Sequence, residues 1–200
     1  MCPMIQNRFK APVTNLITPV CRAMLKIGLS ANAVTAIGAT GTTISAIYFY
    51  SRGELFLGTI LVSIFALSDL FDGTMARLSN SAGTKWGAFL DSTLDRISDA
   101  AIAIGIWFYL NDQNSNYQYL ALCVLFLSGL IPYVRAKAES LGIECSVGVA
   151  ERAERLILLL VGAGLAGLGF ELALEAALFA LTVFGVVTVL QRMRVVFKAK

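Results

Sequence analysis

The stretch LFLGTILVSIFALSDLFDGTMAR, residues 55–77, decides the fold of this chain. Its apolar part, residues 55–68, is too short to cross a bilayer, because a spanning helix needs about 20 residues. A spanning helix must therefore continue through the polar part and carry Asp69 and Asp72 with it. A carboxylate inside a span costs about 2.5–3.5 kcal/mol on insertion scales, so these two side chains are candidates for a functional site.

The composition of the whole chain is typical of a membrane protein. Of its 200 residues, 57% are hydrophobic and 14% are charged, whereas soluble domains carry about 25% charged residues. The absence of histidine excludes a histidine general base, a Ser-His-Asp triad and histidine-rich zinc or haem sites. The net charge of +3 is small and dispersed, so we expect no nucleic-acid partner.

The apolar runs predict an all-α integral membrane protein with six transmembrane helices. Residues 1–26 mix cations with apolar side chains, which favours an amphipathic helix on the membrane surface. Residues 27–200 form the predicted membrane domain. Its spans are expected near residues 27–51, 55–77, 86–110, 117–137, 154–170 and 172–192. The first span is rich in Gly, Ala and Thr, which allow close helix packing in lipid.

The loop cations predict the orientation of this bundle. Arg52 is the only Lys or Arg in the loops on one side, whereas the loops and termini on the other side hold all the other cations outside the spans. The positive-inside rule then places both termini and the charged ends of spans two to five in the cytoplasm. We expect a multi-pass protein of the cytoplasmic membrane whose site faces the cytoplasm.

The third predicted span repeats the acidic pattern of the second. Asp69 and Asp72 are three residues apart and Asp91 and Asp95 are four apart, so each pair shares one helix face. Two neighbouring helices can then present four carboxylates to one point, where cations must neutralise them. Oxygen ligands without His or Cys favour Mg²⁺, Mn²⁺ or Ca²⁺ over zinc. Two ions about 3.5–4 Å apart would fit the two-metal pattern of phosphoryl transfer.

The alternative is that these acids serve interhelical salt bridges. Their available partners are Arg77, Arg96 and Lys85. Asp99, one turn beyond Asp95, is either a support for the acidic cluster or a partner of Arg96.

Eight positions over these two spans resemble the signature of the CDP-alcohol phosphotransferase family. The matching pattern is Asp69-x-x-Asp72-Gly73-x-x-Ala76-Arg77, nine residues, then Gly87-x-x-x-Asp91-x-x-x-Asp95. The resemblance implies six transmembrane helices, a homodimer, and transfer of a phosphatidyl group from a CDP-linked lipid to an alcohol with release of CMP. It further implies that all four acids bind two divalent ions, Mg²⁺ or Mn²⁺, and that Asp95 also accepts the proton of the acceptor hydroxyl.

The same resemblance implies a CDP-lipid site. The segment LSANAVT, residues 29–35, resembles the family segment that lines the cytidine pocket, although Ser30 or Asn32 could also cap the first span. The implied contacts are Ala31, Asn32, Ala33, Val34, Asp69, Gly73, Arg77 and Thr84. Gly73 would let a nucleotide approach the helix backbone closely, and Arg77 could meet the diphosphate.

Basic residues at the cytoplasmic ends of spans four to six indicate a phosphorylated acceptor, because a neutral alcohol would not need several cations. The pattern RAKAES-x-G, residues 135–142, followed by ERAERL, residues 151–156, resembles that of the bacterial phosphatidylinositol-phosphate synthases of that family, whose acceptor is inositol 1-phosphate. The implied phosphate-binding residues are Arg135, Lys137, Arg152, Arg155 and Arg192. The alternative is that they are ordinary positive-inside anchors. Arg152 and Arg155, however, stand at the start of a span, where the helix dipole disfavours cations unless an anion lies nearby.

The expected activity therefore joins CDP-diacylglycerol and inositol 1-phosphate at the membrane, with release of CMP. Phosphatidylglycerophosphate synthesis from glycerol 3-phosphate is the alternative within the family, because that acceptor is also anionic. A divalent-cation transporter is the alternative of another class, but it gives no reason for Gly73, Arg77 and Gly87 at fixed offsets.

Overall fold

The structure, a computed structural model, describes residues 6–79 and 84–199, with side chains from residue 16 onward. These residues form helices and short connections, without strands. The helices are α1 Gln6–Lys26, α2 Ala31–Ser45 with a π-helical extension Ala46–Tyr50, α3 Leu55–Ala66, α4 Ser68–Leu78, α5 Lys85–Asp112, α6 Gln118–Ser140, α7 Arg152–Ala166 and α8 Glu171–Lys198. The prediction of an all-α fold is confirmed for these residues.

Three stretches of the described chain are long and apolar enough to cross a membrane. They are Leu55–Leu78, which joins α3 and α4, Gln118–Ser140 and Glu171–Lys198. A fourth candidate is the pair Leu16–Lys26 and Ala31–Tyr50, bent by 106°. Helices α5 and α7 coincide with predicted spans, but α5 carries four charges between Asp91 and Asp99 and α7 has only 15 residues. Three to four candidate spans are therefore established, and the count of six stays a prediction.

Helix α2 lies at the centre of the close packing that its small residues predicted. A Cβ atom on Gly38 would stand 3.0 Å from the carbonyl oxygen of Phe65 and would overlap the side chain of Ser68. A Cβ atom on Gly105 of α5 would stand 2.5 Å from the carbonyl oxygen of Ala46. Because these neighbours include backbone atoms, only glycine permits α3, α4 and α5 to pack so closely on α2.

Two apolar clusters hold the helices together. The larger cluster includes residues of α2 with its extension, α3, α5, α6, α7 and α8. Within it, Tyr50 is fully buried and its hydroxyl oxygen lies 3.1 Å from Thr59 Oγ1. The smaller consists of Cys21, Val34 and Met75, which tie α1 to α2 and α4. Helix α1 therefore packs directly on the helix that carries the first acidic pair.

We predict that Gly105→Ala destabilises the protein by about 1–3 kcal/mol, because the added methyl group cannot fit against a carbonyl oxygen. Thermal unfolding in detergent measures the change. Gly129→Ala in α6 is the matched control, since no described atom outside its own helix backbone and chain neighbours lies within 4 Å of its Cβ position. The control should be neutral or gain up to about 1 kcal/mol from the better helix propensity of Ala. Equal melting temperatures for the two variants would contradict the packing argument.

Candidate active site

Helices α4 and α5 both pack on α2 and carry the five acids of the candidate site. Asp69 lies in the first turn of α4, where the helix dipole favours an anion. Asp72 follows on the same face, while Asp91, Asp95 and Asp99 lie one turn apart on α5. The face sharing expected from the spacing is therefore present, with α2 as the common support.

Among the four acids of the signature, Asp72 is the most buried. Its side chain is buried, and its Oδ2 atom accepts a hydrogen bond of 2.6 Å from the Thr35 hydroxyl. Thr35 is buried on α2 and was not among the predicted site residues. A hydrogen bond from α2 thus fixes the orientation of a carboxylate on α4.

Arg152, the first residue of α7, lies between the acids of α4 and α5. Its Nη1 atom is 2.8 Å from Asp69 Oδ2 and 2.9 Å from Asp95 Oδ1. Its other edge faces Asp99, with Nη2 3.3 Å from Oδ1 and Nε 3.4 Å from Oδ2. Asp69 and Asp95, on different helices, therefore converge on a single nitrogen atom.

Arg77 and Arg96, which were predicted to pair with acids on the neighbouring helix, contact residues of their own helices instead. Arg77 donates to Thr74 Oγ1 at 3.0 Å. Arg96 donates to the Ser92 carbonyl at 2.6 Å and lies 3.4 Å from Asp95. Asp99 pairs with Arg152 and forms no ion pair with Arg96 among the described residues. The alternative of interhelical pairing thus holds for Asp69 and Asp95, through Arg152, which is a predicted ligand of the acceptor phosphate.

The donor set suits a divalent ion. In the described part of the chain, no three acidic or thiol side chains are already gathered around one point as a metal cage. The Arg152 guanidinium stands where Asp69 and Asp95 meet, so this place accepts a positive charge between carboxylate oxygens from two helices. Carboxylate oxygens are the ligands that Mg²⁺ and Mn²⁺ prefer. The assignment of the four acids as metal ligands fits this arrangement and stays a prediction.

The residues implied for the CDP-lipid lie in two groups. The starts of α2 and α5 adjoin, since a Cβ atom on Gly87 would stand 3.3 Å from Asn32 Oδ1 and 2.8 Å from Thr84 Oγ1. Thr84 caps α5 by accepting from the Gly87 amide at 3.2 Å. Ser30 caps α2 by accepting from the Ala33 amide at 3.2 Å, which confirms the capping alternative for Ser30.

The surface above Gly73 is open. The nearest described atom to its Cβ position, outside its own helix backbone and neighbours, is Arg77 Nη1 at 3.8 Å. This leaves room for the expected approach of a nucleotide beside Arg77, which stays a prediction. Val34, in contrast, is buried against Cys21 and Met75, and Ala31 packs on the same cluster. Their side chains therefore help to hold α1 against α2 and α4.

The residues implied for the acceptor differ in exposure, since Arg192 is buried, Arg152 and Arg155 are half-buried, and Arg135 and Lys137 are exposed. Arg155 donates to the Ala150 carbonyl at 3.0 Å, and Arg152 and Arg155 line one cavity with Asp99 between α5, α6, α7 and α8. Arg135 forms an exposed pair with Glu139 at 2.8 Å, and Lys137 is exposed. Among the described residues of this set, only Arg152 forms ion pairs with the acids of α4 and α5.

Arg192 is buried and bonded to backbone. It donates to the Val147 carbonyl at 2.9 Å and to the Ile131 carbonyl. Thr188, one turn earlier, accepts from the Val149 amide at 3.2 Å. Together they fasten the segment between α6 and α7 that leads into Arg152. Thr188 was not predicted, because a single hydroxyl in an apolar helix gives no pattern.

Carboxylates of the protein itself supply the negative charge that compensates the cations at the start of α7. Glu151 and Glu154 form a capping box at this helix end, and the Glu151 amide donates to Glu154 Oε2 at 2.9 Å. The acids of α4 and α5 then compensate Arg152. The position of Arg152 is therefore explained without a bound phosphate.

Comparison with known proteins places the site in a family. The family model for CDP-alcohol phosphatidyltransferase matches residues 29–193, which contain all five acids. Phosphatidylinositol phosphate synthase from Streptomyces avermitilis is 39% identical over 198 residues, covering 94% of this chain and 81% of that protein. Phosphatidylinositol phosphate synthase from Cutibacterium acnes is 39% identical over 203 residues, covering 96% of this chain and 98% of that protein.

Solved structures agree with the sequence relatives. The crystal structure of Mycobacterium tuberculosis phosphatidylinositol phosphate synthase with CDP-DAG bound matches with a TM-score of 0.84 and 36% identity, covering 92% of this chain and 94% of that one. The structure of that enzyme in complex with manganese and citrate also has a TM-score of 0.84, with 37% identity, covering 90% of this chain and 88% of that one. The chain therefore belongs to the CDP-alcohol phosphatidyltransferase family.

Proposed function

We propose that this protein transfers the phosphatidyl group of CDP-diacylglycerol to inositol 1-phosphate and releases CMP. The observation that carries the proposal is the meeting of Asp69, Asp95 and Arg152 at one point beside Arg155. This places candidate metal ligands next to candidate phosphate ligands. Relatives named phosphatidylinositol phosphate synthase at 36–39% identity over nearly the whole chain support the choice of acceptor.

Asp69, Asp72, Asp91 and Asp95 would hold two divalent ions, Mg²⁺ or Mn²⁺, and one related enzyme was solved with manganese. Bound there, the ions supply charge stabilisation to the diphosphate and to the leaving CMP. The residues of the chain supply position. Thr35 holds Asp72, and the close starts of α2 and α5 place Asn32 and Thr84 where the cytidine is proposed to bind.

Asp95 is the proposed general base. Its side chain is largely buried, and its carboxylate pairs with Arg152 and Arg96. The proton of the acceptor hydroxyl moves to an Asp95 carboxylate oxygen as the hydroxyl oxygen bonds to the lipid-bearing β-phosphorus. The bond from that phosphorus to the oxygen of CMP breaks, and Arg77 beside Gly73 can contact the diphosphate.

The acceptor phosphate is proposed to bind on the α7 side of the acids. Arg152 and Arg155 are closest to them, and Arg135, Lys137 and Arg192 complete the proposed set. Of these, Lys137 is exposed, whereas Arg192 already bonds the carbonyls of Ile131 and Val147. Arg192 would therefore act mainly by holding the segment before α7.

The membrane arrangement is proposed from the same features. Residues 27–200 would form one domain of six spans, namely α2 with its π turn, α3 with α4, α5, α6, α7 and α8, with residues 1–26 on the cytoplasmic surface. Large apolar side chains are exposed along the helices, such as Phe126, Phe179 and Leu190, which suits contact with lipid. The distribution of Lys and Arg supports both termini and the site in the cytoplasm. A homodimer is the proposed assembly.

An apolar groove beside the site would receive an acyl chain from the bilayer. It lies between α1, α2, α3 and α4, and its lining includes Ser68, the residue before Asp69. Its walls include Val20, Met24 and Ile37. A lipid whose diphosphate lies at the acids can therefore place a tail in this groove.

Radiolabelled inositol 1-phosphate and glycerol 3-phosphate, offered separately to purified protein with CDP-diacylglycerol and Mg²⁺, test the acceptor. We expect a lipid product and CMP with inositol 1-phosphate and none above background with glycerol 3-phosphate. Product with glycerol 3-phosphate alone would replace the proposal by phosphatidylglycerophosphate synthesis. No product with either would refute both.

Asp95→Asn should lower turnover by about 10²–10⁴-fold, the usual worth of a general base. Binding of CDP-diacylglycerol, measured by calorimetry in detergent, should be largely retained. Asp112→Asn at the far end of the same helix is the control and should keep normal turnover. Normal turnover of the Asp95 variant would show that another group accepts the proton.

Ile37→Trp should fill the groove and raise the KM for long-chain CDP-diacylglycerol, with a smaller effect on a short-chain analogue. Ile44→Trp is the matched control, because Ile44 lies two turns further along α2 with similar exposure, 61% against 57% for Ile37, and does not line the groove. Steady-state kinetics with both lipids gives the comparison. Equal KM changes in the two variants would remove the groove from the substrate site.

A further inference from the structure

The two edges of the Arg152 guanidinium contact different carboxylates. The Nη1 atom contacts Asp69 and Asp95, the acids proposed to bind metal, at 2.8 and 2.9 Å. The opposite edge, formed by Nη2 and Nε, faces both oxygens of Asp99 at 3.3 and 3.4 Å. Asp99 lies one turn beyond the last acid of the family signature, and its side chain is only 13% exposed.

We propose that Arg152 is a built-in counter-ion that a divalent ion displaces from Asp69 and Asp95, and that Asp99 is the positioning residue that anchors Arg152 when this happens. The inference rests on the proposed function only for the presence of the ion. It assigns a role to Asp99, for which the sequence left two alternatives.

The competition follows from shared oxygen atoms. Asp69 Oδ2 and Asp95 Oδ1 both bond one guanidinium nitrogen, so a divalent ion that takes these oxygens must replace the nitrogen. Without any cation, the carboxylates of α4 and α5 would repel one another in partly buried surroundings. Arg152 therefore stabilises the metal-free protein and weakens metal binding by the same contacts, because the coupling is reciprocal.

The anchor follows from the second edge. Asp99 contacts Nε and Nη2 side by side, an arrangement that fixes the plane of the guanidinium. These contacts do not involve the oxygens of Asp69 or Asp95, so they persist when Nη1 is displaced. The Nη1 atom then has no carboxylate partner and is available to the anionic acceptor. This reconciles the position of Arg152 among the acids with its proposed contact to phosphate.

Manganese affinity of the purified protein in detergent, without CDP-lipid or acceptor, tests the proposal. Free Mn²⁺ is counted by electron paramagnetic resonance for wild type, Arg152→Gln, Asp99→Asn and the double variant. Arg152→Gln should bind Mn²⁺ about tenfold more tightly, because the competitor is gone. Asp99→Asn should bind about tenfold more weakly, within the 10–100-fold range of outer-shell changes, because Arg152 then rests wholly on Asp69 and Asp95. In the double variant, the loss of Asp99 should have little effect.

Whether the changes in Mn²⁺ affinity add in the double variant distinguishes this mechanism from simple charge effects. If Asp99→Asn weakens Mn²⁺ binding equally in both backgrounds, the charges act only through space and the anchor is refuted. If Arg152→Gln leaves the affinity unchanged or lowers it, displacement is refuted. Arg96→Gln is the charge-matched control, since Arg96 reaches Asp95 at 3.4 Å and forms no ion pair with Asp69 among the described residues. Its effect should be clearly smaller than that of Arg152→Gln.

Stability supplies a second readout. Arg152→Gln should lower the Tm in EDTA, and the difference from wild type should shrink in saturating Mn²⁺. If Arg152→Gln does not fold, Arg152→Lys takes its place. Lysine keeps the positive charge, but its single ammonium group cannot make both the contacts to Asp99 and those to Asp69 and Asp95. Asp99→Asn should then have little effect on Mn²⁺ affinity in the Lys background, and a tenfold effect there would refute the anchor. None of these measurements needs turnover, so they remain decisive if the acceptor assay fails.

Discussion

The site depends on like charges being brought together on separate helices. Asp69 on α4 and Asp95 on α5 meet at one nitrogen of Arg152, an approach that is unfavourable without a cation between them. The glycines of α2 and α5 make the approach possible by letting backbones pack closely. The apolar packing of the bundle and the electrostatics of the site are therefore parts of one constraint.

The segments of the chain that carry the acids were predictable from local pattern. The apolar runs placed the helices, and the intervals of three and four residues placed Asp69 with Asp72 and Asp91 with Asp95 on shared faces. The Gly content of the first span predicted the tight packing now seen at Gly38. These features depend on residues a few positions apart, where helical periodicity is sufficient.

The partners of the acids could not be predicted in the same way. Arg152 follows Asp69 by 83 residues, and Thr35 precedes Asp72 by 37. No periodicity links such positions. Arg192 shows the other difficulty, since a basic residue at a cytoplasmic helix end resembles a phosphate ligand, yet its guanidinium bonds two backbone carbonyls. Charge identifies candidates for such roles, but only the tertiary structure assigns them.

The order of these residues along the chain has a consequence for biogenesis. Ribosomes make the protein from its N-terminus, so α4 and α5 emerge well before the guanidinium on α7 that compensates them. During that interval their carboxylates must be stabilised by water at the bilayer surface, by ions, or by the translocation machinery. The helices α4 and α5 therefore reach their final packing late in assembly. This step follows the synthesis of α7 and the binding of the segment before α7 by α8.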